Sequence, residues 1–330
     1  TLLFYYVSVI AHEAGHMLCG LISGYEFLSF RIGSFMLVKT DDGLKLKRFS
    51  IPGTGGQCIM KPPAYSKELP VFIYNFGGCL MNIILAAASA VLCVAFYNIL
   101  TFRIMLMVFS IINAAMFISN ILPLEIGVAT DGRNIAMLGR NDAEKYAFWL
   151  MLYNNACILE GKEPPEELAV IPDNIDYSSY LQASAAPLVR LAWLEARGRY
   201  EEAIELTDFL LKNAALVEMI RYDIASEKLL LMAALHMDCY KILECYTPEI
   251  QKYIKSVKEF FVSKQAVLYG LSIVFDGNSL PCGVLPLEKQ RLEFERVARK
   301  YPYEFETAMC RKVLKEISTL PPPSPGEDAS

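Results

Sequence analysis

The stretch FYYVSVIAHEAGHMLCGLISG, residues 4–24, is as apolar as a membrane span, yet His12, Glu13 and His16 lie near its centre. The whole chain has three histidines, and two of them are here. Ionisable groups inside a bilayer are costly, so each is a functional hypothesis by default. A chance occurrence of this pattern is the alternative. Chance alone gives HExxH in a chain of this length on the order of once in a hundred, and a chance His–Glu–His in an apolar helix costs several kcal/mol to insert. The pattern therefore reads as chemistry.

On a helix, positions i and i+4 share one face. His12 and His16 thus present two imidazoles to the same point, and Glu13 stands beside the first, where it can take a proton from water. This is the HExxH logic of a zinc hydrolase. Catalytic zinc uses three protein ligands and keeps one position open. The remaining histidine, His236 in LLLMAALHMDCYK, reads as a helix-surface or core residue. No HExxHxxGxxH continuation follows, which excludes the metzincin arrangement. A carboxylate is then the expected third ligand, and SNILPLEIGVATDGRN (119–134) offers Glu125 and Asp131. Asp131–Gly132 also reads as a turn and Glu125 as a loop residue, so composition alone leaves both open.

Further out, hydrophobic residues make up 54% of the 330, and mean hydropathy is +0.32. They concentrate before about residue 122, which predicts a membrane half followed by a soluble half. Residues 2–22, 70–99 and 103–122 are each long enough to span, the first giving about 31 Å of helix at 1.5 Å per residue. Pro70 opens the second, whose Gly77–Gly78 and AAASA (86–90) allow close helix approach. Between the first two spans, FLSFRIGSFMLVKTDDGLKLKRFSI (27–51) alternates in part with period two. It reads as a β-hairpin turned at Asp42–Gly43, followed by a glycine-rich loop, PGTGGQC (52–58).

Seven Lys/Arg lie between 24 and 69 (Arg31, Lys39, Lys45, Lys47, Arg48, Lys61, Lys67), and Arg133, Arg140 and Lys145 follow the third span. The positive-inside rule puts the hairpin and the C-terminal half in the cytoplasm. The chain begins at Thr1 with no basic n-region, so residues preceding it are expected to have been removed and the first span is not read as a signal peptide. Net charge is −5, with no long basic run, which argues against nucleic acid as a partner. Nine scattered cysteines without a CxxC pair argue against a disulfide framework.

The expected domains are a core at 1–135, an amphipathic helix and linker at 136–187, a helical domain at 188–319 and a disordered tail at 320–330. Gly198, Tyr200 and Ala203 have the spacing of a tetratricopeptide-type (TPR-like) turn, so the third of these is read as all-α and repeat-like.

HEAGH in the first span, NFGGCLMN (75–82) in the second and NILP…DG (120–132) after the third together resemble the site-2 protease (M50) family of intramembrane zinc metalloproteases. The resemblance covers residues 1–135. It implies one Zn²⁺ held by His12, His16 and Asp131, Glu13 as general base, and Asn82 and Asn120 as donors to the substrate backbone or its oxyanion. It also implies cleavage of a peptide bond in or next to a transmembrane segment, in a multi-pass protein of a bacterial cell membrane. The C-terminal domain would then recruit substrate or another cytoplasmic protein. An extended substrate could pair with the edge of the hairpin or with 52–58. Two departures stand out: Cys79 replaces the family's proline, and Asp131 lies eight residues after Pro123, a longer gap than in the family's compact form. A proteolytically inactive membrane scaffold is the alternative reading.

Overall fold

The structure is a computed structural model that describes residues 1–40, 42–51, 54–126, 128–139 and 141–319. The expected disordered tail, Pro52, Gly53 and Arg140 lie outside the described residues. The chain divides into two compact units, Thr1–Ala156 and Cys157–Ser330.

In the first unit, α1 (Leu2–Ile22) is followed by β1 (Glu26–Ile32), β2 (Phe35–Thr40), β3 (Gly43–Arg48) and β4 (Gly56–Lys61). Two long helices come next, α2 (Val71–Ala95) and α3 (Leu100–Ile121). Then follow a small hairpin, β5 (Glu125–Ile126) and β6 (Val128–Ala129), and the helices α4 (Asp131–Leu138) and α5 (Asp142–Leu159). α2 and α3 are long and apolar enough to cross a membrane.

The buried face of α1 repeats every four residues through Ser8, His12, His16 and Gly20, while Leu2, Leu3, Ile10 and Leu21 are exposed. Small residues on that face let the backbones meet. A Cβ on Gly15 would lie 2.2 Å from Gly77 O, and one on Gly77 would lie 2.4 Å from Gly15 O. This crossing puts the two histidines of α1 against α2.

The region expected to be one hairpin is larger. β1 to β3 form an antiparallel meander, and β4 pairs with β1 to complete a four-stranded sheet of order β3-β2-β1-β4. The turn at 42–43 is present, with Thr40 Oγ1 donating to Gly43 O at 2.8 Å. A second tight turn, with Gly33 at φ +56, joins β1 and β2. The glycine-rich segment read as a loop becomes strand from Gly56, because Ile32 and Arg31 pair with Gly56 and Gln57. Arg31, 1% exposed, anchors this segment by donating to Gly33 O at 2.9 Å and to Thr54 Oγ1 at 2.5 Å.

Where one amphipathic helix was expected to open the 136–187 stretch, two helices form. α4 ends at Gly139, and α5 begins at Asp142, where Asn141 Oδ1 accepts from Glu144 N–H.

The second unit is all helical among the described residues. It comprises a 3₁₀ turn (Glu166–Ala169), α6 (Tyr180–Ala196), α7 (Tyr200–Asn213), α8 (Glu218–Ala234), α9 (Cys239–Cys245), α10 (Pro248–Val257), α11 (Val262–Val274), α12 (Leu287–Ala298) and α13 (Glu304–Thr319). The linker expected in the later part of 136–187 is thus partly helical. Ser179 caps α6 by accepting from Gln182 N–H, and the helix runs through Pro187. α6 and α7 turn at Gly198, whose φ of +67 suits glycine. Lys264, 1% exposed, lies 2.6 Å from Asp223 Oδ1. Burial pushes the Glu227 carboxyl up to about 7 and raises that of Glu306, both despite the lysine's pull.

Candidate metal centre

α1 delivers both imidazoles to one point, as its spacing requires. His12 Nε2 and His16 Nε2 are 3.2 Å apart. Asp131 Oδ2 lies 3.3 Å from the first and 3.4 Å from the second. The aspartate arrives from α4, whose start is held by Thr130. That hydroxyl accepts from Arg133 N–H and donates to Leu122 O at 2.6 Å, tying the start of α4 to the end of α3. Gly132 is obligatory there, since a Cβ would fall 1.9 Å from Ile121 O.

Each imidazole is fixed from behind. His12 Nδ1 lies 2.6 Å from Asn82 Oδ1, and His16 Nδ1 lies 2.9 Å from Tyr74 O. Both acceptors are oxygens, so both Nδ1 atoms carry the proton and both Nε2 lone pairs face Asp131. Three acceptor atoms thus converge, and a cation satisfies such a set. The floor is shaped for it too. At Gly78, a Cβ would lie 2.5 Å from His16 Nε2 and 2.6 Å from His12 Nε2. Two nitrogens and one carboxylate oxygen within 4.8 Å of one another form a donor set that fits zinc with a position left open.

Beside this centre is a cavity of about 450 Å³, lined by His12, Glu13, His16, Asp131, Asn120 and the cavity-facing part of β4, Gly56–Ile59. Glu13 reaches it along the backbone of β4. A Cβ on Gly56 would meet Glu13 Cγ at 2.8 Å, and Cys58 N–H donates to the Glu13 carboxylate.

The profile described as Peptidase family M50 matches residues 1–277. This chain belongs to peptidase family M50. M50 peptidases are membrane-embedded zinc metalloproteases, and the His–His–Asp group is where this M50 chain can bind a metal. No curated protein and no solved structure matched it.

Of the residues singled out from sequence, His12, Glu13, His16, Asp131 and Asn120 meet at the cavity. Asn120 lines it, but its amide donates to Met116 O at 2.9 Å. Asn82 does not line it. It is 0% exposed, its Nδ2 donates to Asn113 Oδ1 at 2.9 Å, and its Oδ1 faces His12 Nδ1 rather than the cavity expected of a substrate donor. The side chain of Glu125, the other carboxylate considered, lies outside the described residues. His236, in the second unit, binds Ile317 O at 3.2 Å. Cys79 Sγ, at the family's proline position, donates to Asp131 Oδ2 at 3.7 Å. Asn113 was not anticipated; the signal was a second asparagine in an otherwise apolar span.

Proposed function

We propose that this M50 peptidase is an intramembrane zinc endopeptidase that cuts a peptide bond in or next to a transmembrane segment of a membrane-protein substrate. The observation that carries the reading is the convergence of His12 Nε2, His16 Nε2 and Asp131 Oδ2 on one point, beside a cavity that Glu13 lines. When bound, one zinc ion polarises the scissile carbonyl and acidifies the attacking water.

The chain's own groups do the rest. Glu13 accepts the proton of that water and returns it to the leaving amine. Cys58 N–H keeps the Glu13 carboxylate turned toward the cavity, and the absence of a side chain at Gly56 leaves room for it. Asn120 stands at the cavity wall as a donor toward the substrate. β4 is an edge strand beside the base, so an unwound substrate could add to it as a further strand.

In this reading α1 is a third span. Its central His–Glu–His lowers its hydropathy, but its exposed face carries Leu, Ile, Val and Tyr side chains. Basic residues at 24–69 then face the cytoplasm, as does the helical second unit. That unit, read as TPR-like from the Gly198–Tyr200–Ala203 turn, recruits or gates substrate. With α1, α2 and α3 as spans the protein is read as multi-pass, and the family resemblance is the ground for reading its membrane as a bacterial cell membrane.

The test is cleavage of a reporter transmembrane peptide in detergent by wild type and Glu13→Gln. Loss of a general base predicts a drop of about 10²- to 10⁴-fold for the variant. Equal cleavage by both would remove Glu13 from the mechanism.

A further inference from the structure

Asn113, on α3, is 0% exposed and makes no direct contact with the metal centre, yet it ends a chain of side chains that begins at His12. Phe109 O can only accept, so Asn113 turns its Nδ2 toward that carbonyl, at 3.0 Å. Its Oδ1 is thereby presented to Asn82 Nδ2, 2.9 Å away. The second hydrogen on Asn82 Nδ2 points to another carbonyl, Ser8 O, at 3.4 Å. Asn82 is then left with only its Oδ1 to offer His12 Nδ1, at 2.6 Å. The orientations in the relay follow from two backbone carbonyls, Phe109 O at its far end on α3 and Ser8 O on α1. Asn82 is also 0% exposed, so water does not compete for these groups.

An imidazole forced to donate from Nδ1 keeps its lone pair on Nε2, the atom that faces His16 and Asp131. We propose that Asn113 is a positioning residue: through Asn82, α3 selects the tautomer of His12 that can bind metal. The proposal rests on the reading of His12, His16 and Asp131 as a zinc site. His16 provides an internal contrast, because its Nδ1 is held by Tyr74 O and owes nothing to Asn113.

The test uses the full-length protein in detergent, with Asn113→Leu and Asn113→Asp beside wild type. Leu keeps the heavy-atom count and branching and removes the acceptor. Asp keeps an acceptor toward Asn82 whether ionised or protonated. Zinc affinity is measured by chelator competition, the melting temperature of the metal-free form by its unfolding curve, and histidine tautomers of that form by ¹⁵N NMR. With three histidines in the chain, the spectrum is simple. Asn113→Leu is expected to bind zinc about 10- to 100-fold more weakly, with His12 alone passing to a tautomer mixture and with a lower melting temperature, because the buried Asn82 N–H loses its acceptor. Asn113→Asp is expected to retain wild-type affinity. Wild-type affinity or an unchanged His12 tautomer in Asn113→Leu would overturn the proposal, as would equal losses in both variants, which would point to packing. Absence of zinc from wild type would instead remove the zinc reading, while the tautomer measurement would still judge Asn113.

Discussion

Gly78 is a glycine because the two imidazoles lie on top of it. An alanine there would place its Cβ 2.5 Å from His12 Cε1 and His16 Nε2 and 2.6 Å from His12 Nε2. Comfortable contact begins at about 3.5 Å, so both rings must retreat by roughly 1 Å. Zinc sites tolerate only about ±0.2 Å in ligand distance. Losing an outer partner of a ligand already costs about 10- to 100-fold in affinity, so displacing two ligands at once should weaken zinc by at least about 100-fold. Alanine is the better helix former by about 1 kcal/mol, so helix propensity does not work against this variant. Chelator competition on purified Gly78→Ala, with Gly139→Ala as control, is the assay. A Cβ on Gly139 would find its nearest neighbour, Ile135 O, at 3.6 Å, an ordinary contact, so that variant should bind zinc like wild type. Wild-type zinc affinity in Gly78→Ala would refute the placement of the metal over Gly78.

Other perturbations reach other parts of the account. Asp131→Ala should abolish stoichiometric zinc while Glu125→Ala keeps it; metal analysis giving the opposite result would move the third ligand to Glu125. Gly132→Ala, whose Cβ would fall 1.9 Å from Ile121 O, should displace Asp131 and lower zinc affinity, read by the same chelator competition, without changing the ligand set. In the second unit, Glu227 holds its proton to about 7 because it is buried. Below the ordinary carboxylate range both folded and unfolded forms are protonated. Between that range and pH 7 the folded form binds more protons, so this group's contribution to stability falls as pH rises. The melting advantage of Glu227→Gln over wild type should therefore grow from pH 5 to pH 8, and a difference constant with pH would show that burial of this carboxyl costs nothing.

The part of the site that rests on local periodicity was legible. His12, Glu13 and His16 are four residues apart at most, and helix geometry alone brings the imidazoles together. Asp131 was not legible in that way. It reaches the histidines through the crossing of α1 and α2 at Gly15–Gly77 and through the Thr130 staple, both of which depend on tertiary contact. The family resemblance supplied it where composition left Glu125 equally open. Asn82 was singled out, but its contact with His12 was not legible, because sequence does not show which side of α2 faces His12. The sheet was underestimated for a similar reason: the strand character of 56–61 comes from pairing with β1, not from its own alternation. Pro187 suggested a linker, yet tertiary packing carries α6 through it. Arg31 could be counted toward orientation, but its burial against Gly33, Thr54 and Gly56 could not be foreseen.

On this reading the HEAGH of α1, completed by Asp131, is a zinc centre with Glu13 as its base. Zinc per chain in purified, detergent-solubilised wild type and Glu13→Gln tests it most directly, since Glu13 is not a ligand in this account. About one zinc ion in both proteins is the predicted result. Zinc in neither would contradict the site itself, and zinc in wild type alone would make Glu13 a ligand rather than the base.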